Sequence, residues 1–120
     1  MFVTDTWKDY QLIDTGDGMK LERWKDITLL RPDPQVIWPY HTPINKKNIH
    51  AIYKRSSTGG GNWDFLKPVP DKWTVNWKDL TFSVRPMGFK HTGLFPEQAV
   101  NWDWMRNLIK NANRPVNVLN

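Results

Sequence analysis

Residues 72–86 read Lys-Trp-Thr-Val-Asn-Trp-Lys-Asp-Leu-Thr-Phe-Ser-Val-Arg-Pro. In the first half Trp73, Val75 and Trp77 alternate with Thr74 and Asn76. In the second, Leu80, Phe82 and Val84 alternate with Thr81, Ser83 and Arg85. A period of two with one apolar face is the pattern of a strand that lays one side on a core. The run therefore predicts a hairpin, with strands over 72–77 and 80–86 and a turn at Lys78-Asp79. It sets the class of the fold as mainly β (α+β).

Working back from the hairpin, Pro68 and Pro70 close a preceding strand, since proline gives no donor to a ladder. That strand, Asn62 to Leu66, pairs with Ile49 to Arg55 across the loop Ser56 to Gly61. The loop sequence SSTGGG has backbone N–H groups of the kind that cradle phosphate. It lacks the Gly-x-x-x-x-Gly-Lys-[Ser/Thr] pattern and does not enter a helix. A mobile hairpin loop is the simpler reading; the alternative makes Lys54 and Arg55 beside it contacts for RNA phosphate.

Further back, Arg31 to Pro43 holds four prolines, at 32, 34, 39 and 43, and reads as an extended connection with a turn at Pro34 to Trp38. Its Trp38 and Tyr40 either anchor it to the core or offer a stacking surface for a base. Before it, Asp9 to Asp14, Met19 to Trp24 and Ile27 to Arg31 form a meander. Thr15-Gly16-Asp17-Gly18 makes the first turn, with Gly and Asp supplying positive φ angles. About seven short strands result, with no internal repeat.

Composition suits this class. Eight Trp in 120 residues argue for an aromatic-packed β domain, each buried ring asking for a partner for its N–H. The net charge of +5 suits a polyanionic partner such as RNA. The absence of cysteine excludes disulfides and a cysteine nucleophile within these residues. His41, His50 and His91 show no metal-ligand spacing, and no metal site is expected. The first residues carry no apolar segment of signal-peptide type. No run approaches the roughly 20 apolar residues that span a bilayer. A cytoplasmic protein with no membrane partner is expected.

Downstream of the hairpin, Val84 to Met105 reads VRPMGFKHTGLFPEQAVNWDWM. It leaves a strand, crosses a polar turn and enters a helix. Pro96 suits the first helical position. Val100, Trp104 and Leu108, with Met105 and Ile109, form one apolar stripe. Asn111, Asn113 and Pro115 mark its end. The proline places Phe95 at the cap, where Ser, Thr, Asp or Asn is preferred. Either local backbone, water or Thr92 completes the cap, or a ligand or neighbouring domain does.

The run GFKHTGLFPEQ, a helix and then RPVNVLN resembles class I S-adenosylmethionine-dependent methyltransferases. The nearest group is the one that includes bacterial large-subunit rRNA cytosine-C5 methyltransferases. The resemblance implies that Val116 to Asn120 is the first strand of a Rossmann-like domain, with the glycine-rich cofactor loop beyond it. On this reading residues 1–95 are an N-terminal β-rich substrate-side domain. Residues 96–120 are a linker helix and the first strand of a truncated catalytic domain, and that strand is expected to be frayed or mispaired here.

The resemblance implies that Gln98 contacts S-adenosylmethionine. Arg85, Lys90, His91 and Thr92 are the candidates for substrate contact: the last three form the polar approach to the turn, and Arg85 and Lys90 either meet substrate phosphate or are ordinary solvated charge. The resemblance also implies a parent enzyme, with these 120 residues inactive alone and binding no cofactor by themselves. C5 chemistry on a pyrimidine would need a cysteine downstream. The chain departs from the rRNA enzymes in reading Phe-Pro-Glu-Gln where they carry an aromatic or apolar residue and Asp before the Gln. It also begins without a separate RNA-binding domain. Two other classes fit the composition: a free-standing RNA-binding β module, and a structural domain that forms homo-oligomers through exposed Trp.

Overall fold

The computed structural model describes residues 3–119. They form seven strands in two sheets and one α-helix near the C-terminal end, a small mainly β fold. The described residues fall into two compact units, residues 7–94 and residues 3–6 with 95–119.

The larger unit begins with a meander of β1 (Tyr10–Gly16), β2 (Met19–Trp24) and β3 (Ile27–Pro32). The first turn is tighter than the four residues expected. Gly16 pairs with Met19, leaving Asp17 (φ 50°) and Gly18 (φ 76°) as a two-residue loop with both residues left-handed. That is the geometry matched to strand twist. Gly16 serves a different purpose: a Cβ there would collide with the backbone of Tyr40. The aromatic of the proline-rich connection thus packs on a bare backbone. Its neighbour Trp38 ties down through its indole N–H, which donates to Thr15 Oγ1 at 2.9 Å.

Two of the other hairpin turns share a sequence. Trp-Lys-Asp, an aliphatic residue and Thr occur at 24–28 and again at 77–81. In both, Trp pairs with the aliphatic residue across a two-residue Lys-Asp loop, and the Lys is left-handed, at 60° for Lys25 and 51° for Lys78. Both Trp are buried. The chain therefore does contain a repeated turn, too short to be seen as a repeat of domains.

After β3 the chain crosses over and returns parallel to it. β4 (Ala51–Arg55) sets Ala51 against Leu29 and Ile52 against Leu30. Parallel pairing needs a long connection, and residues 33–50 provide it. The connection starts with a turn in which Asp33 Oδ1 accepts from the Gln35 N–H and its carbonyl from the Val36 N–H. It pairs back on the first hairpin, with Gly18 N–H donating to Val36 O and Asp17 N–H to Trp38 O. A short 3-10 helix, Lys46–Asn48, is capped by Asn45. His50 then secures the junction, its Nδ1 accepting the Thr28 N–H at 3.0 Å. β5 (Gly61–Phe65) completes the sheet in the order β1-β2-β3-β4-β5.

The two faces of this sheet are covered differently. Leu30, Ile49 and Ile52 pack with Met19, Leu21 and Ile44, so the crossover covers one side. The hairpin of β6 (Trp73–Trp77) and β7 (Leu80–Val84) serves the other. The Trp73 N–H donates to Trp24 O at 3.1 Å, and Trp7 lies between Tyr10, Trp77 and Phe82 at 6.2–6.3 Å. On this side Glu22 and Arg31 are buried as a bidentate pair at 2.6 and 2.8 Å, with the Tyr10 hydroxyl also donating to Glu22 at 2.6 Å. The guanidinium sits 5.4 Å from the centre of the Trp24 ring. Removing one partner of such a pair costs about 3–5 kcal/mol, because the other charge is left buried alone.

In the smaller unit a 3-10 turn, Pro96–Gln98, leads into α1 (Ala99–Asn111). Phe95 stands at the cap with extended backbone and no side-chain cap bond, as the sequence implied. Thr92, the sequence candidate for a cap, instead donates to the Leu94 carbonyl at 3.5 Å. Asn113 is left-handed at φ 53°, the usual device for stopping a helix. The stripe of α1 is largely uncovered: Trp104, Met105, Leu108 and Ile109 are all exposed. Val116, Asn117, Val118 and Leu119 belong to no strand among the described residues, and Asn120 lies outside them.

Candidate functional site

The polar turn singled out in the sequence, residues 85–92, is a closed loop. Its base is made by Arg85 N–H donating to Thr92 O and Met87 N–H to His91 O, both at 3.1 Å. Three side chains of the five-stranded sheet then bind its outer carbonyls. Trp63 Nε1 donates to Met87 O at 2.7 Å, the Tyr53 hydroxyl to Gly88 O at 3.4 Å, and Arg31 Nη1 to Lys90 O at 2.9 Å. The loop's backbone is thereby fixed from β3, β4 and β5. The buried Glu22–Arg31 pair acquires a task beyond stability, since Arg31 spends its remaining donor on positioning Lys90.

What the loop displays is Phe89, Lys90 and His91. They form one wall of a cleft of about 340 Å3 whose other wall is Arg55 with the glycine-rich loop. Phe89 is 67% exposed, unusual for so large an apolar ring. Gly59 (φ 99°) and Gly60 (φ 68°) are left-handed with open space where a Cβ would stand. They are demanded by backbone shape and leave the peptide edges uncovered. A second concavity of about 400 Å3 shares Tyr53 and Arg55 with the first and adds Lys54.

The electrostatics are one-sided. Burial lowers the proton affinity of the Lys90 amine, and the nearby cations Arg55, Lys20 and Arg31 lower it further, with Asp33 opposing them. The Lys90 ammonium donates to Pro32 O at 3.4 Å. Lys54 is paired with Asp64 at 3.0 Å, which leaves Arg55 and Lys90 as the principal charges facing the cleft.

Of the residues chosen from the sequence, the fold brings Lys90 and His91 into one cleft. Arg85 is exposed but does not line it. Thr92 is 1% exposed and holds the loop through its backbone. Gln98 belongs to the smaller unit, exposed at the start of α1, where its Oε1 accepts from Asn101 Nδ2 at 2.9 Å. Tyr53 and Phe89 were not singled out. An aromatic between Gly88 and Lys90 was the available signal for Phe89.

The comparisons bear on the whole chain. No family model matches it, and no curated protein does. Among solved structures it is similar to a SAM-dependent methyltransferase from Agrobacterium tumefaciens. The match covers 92% of this chain at 35% identity, with a TM-score of 0.83. The likeness is thus one of sequence as well as fold. The chain spans 36% of that protein's length. No described helix is long and apolar enough to cross a membrane.

Proposed function

We propose that this chain is the substrate-side portion of a cytoplasmic SAM-dependent methyltransferase that acts on RNA. The observation that carries the reading is the 35% identity to such an enzyme over 92% of the chain. The exposed apolar stripe of α1 supports it, being a surface suited to burial against further protein. An RNA substrate is supported by the +5 net charge and by the cleft in which the cations Arg55 and Lys90 stand beside His91. C5 of a pyrimidine is the acceptor that the sequence resemblance favours.

In this reading the cofactor supplies an electrophilic methyl group on a sulfonium. Gln98 fits a single contact to it: the side chain is exposed, and its amide nitrogen is a donor suited to the cofactor's carboxylate. That is one contact and not a binding site, so the 120 residues alone neither hold the cofactor nor transfer its methyl group. Their own residues bind and orient. Lys90 and His91 hold the RNA backbone, Arg85 adds charge at the loop's base, and buried Thr92 keeps the loop in shape. Phosphate contacts of this kind set register and leave base identity to other groups.

The test is methyl transfer. The protein from the complete reading frame is incubated with tritiated SAM and total RNA from a strain lacking the gene. Label in RNA that nuclease releases and protease does not is the expected result. Label in protein or small molecules alone would overturn the RNA assignment, and label nowhere would count against the enzyme itself. The free-standing RNA-binding module predicts RNA affinity without SAM binding by the longer protein. The oligomerisation reading predicts a concentration-dependent mass for this chain and no RNA affinity.

A further inference from the structure

We infer that the cleft between the Ser56–Gly60 loop and Phe89–His91 is a phosphate-and-base subsite for single-stranded RNA, in which Arg55 and Lys90 take the phosphate and Phe89 stacks on the base. The inference rests on the RNA reading above and gives that reading an address.

Four observations converge there. First, the cleft is of a size for one nucleotide unit, about 340 Å3, and a second concavity continues from it past Tyr53 and Arg55. A linear polymer fits a surface of linked concavities better than an isolated small anion does. Second, the two charges that line the cleft, Arg55 and Lys90, are both cations, and Arg55 lowers the proton affinity of the Lys90 amine beyond what burial does. An arriving phosphate relieves that repulsion, and its binding displaces counterions into solution.

Third, Phe89 is exposed beside those cations and adds nothing to the core. Base stacking on an exposed aromatic ring next to a basic track is the common device of single-strand binding. Fourth, the loop that carries Phe89 is clamped by Trp63, Tyr53 and Arg31 through hydrogen bonds to the carbonyls of Met87, Gly88 and Lys90 on either side of it. An exposed ring on a backbone held this firmly is already placed for contact, which reduces the ordering cost of binding. The Gly59 and Gly60 peptides form the opposite wall without side chains, so a sugar-phosphate chain approaches the backbone closely. A paired helix would hide the faces of its bases from Phe89, so the ligand is single-stranded.

The experiment measures fluorescence anisotropy of a labelled 12-mer oligouridylate against the 120-residue chain across a salt series, with heparin as a polyanion that has no bases. Arg55→Gln and Lys90→Gln are each expected to lower affinity for the oligonucleotide about tenfold. Each should also reduce the slope of log K against log salt by about 0.7. Phe89→Ala is expected to lower oligonucleotide affinity about tenfold with the slope unchanged, and to leave heparin binding as it was. Lys47→Gln, which removes an exposed charge from the crossover, is the control for net charge and should change affinity less than twofold.

Equal losses in Lys47→Gln and Lys90→Gln would overturn the site, as would an unchanged affinity in Phe89→Ala. Tighter binding of a duplex than of the single strand would also overturn it. Circular dichroism and melting of each variant separate lost binding from lost folding. No SAM is present, so a negative result here removes the subsite and leaves the methyltransferase reading to its own test.

Discussion

At the residue scale the fold uses polar side chains as fasteners, and these were the hardest features to read in the sequence. Glu22 and Arg31 carry no motif and stand as single charges in short strands. The clue was their parity: Glu22 shares a face with Trp24, and Arg31 with Ile27 and Leu29, so both had to point to the core. His50, which has no metal-ligand spacing in the sequence, is a backbone acceptor. Burial lowers its proton affinity, Lys67 lowers it further, and Asp26 opposes them. Protonation would also remove the lone pair that Thr28 N–H uses. The unfolded chain, with histidine titrating near about 6.5, therefore takes up the proton first. Stability from this residue is present above that pH and is lost as pH falls below it. The denaturant midpoint should drop between pH 7.5 and pH 5, and His50→Asn, which keeps an acceptor and loses the titration, should flatten that dependence. The same slope in His50→Asn would assign the effect elsewhere, with the Asp14 carboxyl at a lower pH as the other contributor. His41 and the backbone N–H groups of Thr15 and Thr42 hold that carboxyl below its usual range.

At the scale of elements the sequence was far more legible. Alternation located β6 and β7, and the other five strands were read from short runs bounded by turns and prolines; β3 and β4, buried on both faces, show no period of two. The hairpins followed from their turns. The parallel pairing of β3 with β4 did not, since a crossover leaves no mark in either strand, and the proline-rich connection resembled a mere spacer. The shared Trp-Lys-Asp turn was visible in the letters and passed over. Its left-handed lysines went against the usual Gly or Asn preference. α1 was read correctly in position and in its stripe, yet the stripe lies uncovered in the described residues. If further methyltransferase covers it, Leu108→Gln in this chain should change stability by no more than about 0.5 kcal/mol. In the protein from the complete reading frame the same change should cost about 2 kcal/mol or more. Equal small effects in both would mean that the stripe stays at the surface.

At the scale of the whole molecule there are two separate observations, charge and likeness. A +5 chain with a basic cleft is suited to a polyanion, and at 35% identity it is similar to part of a methyltransferase, 36% of whose length it spans. The cleft was partly legible: Lys90 and His91 line it with their neighbour Phe89, while Arg55 completes it from a position that only the fold brings near. The most direct test of the central claim is calorimetric titration of S-adenosylmethionine into this chain and into the protein from the complete reading frame. The account predicts saturable one-to-one binding by the longer protein and no heat of binding from the 120 residues. Absence of binding by both would contradict it.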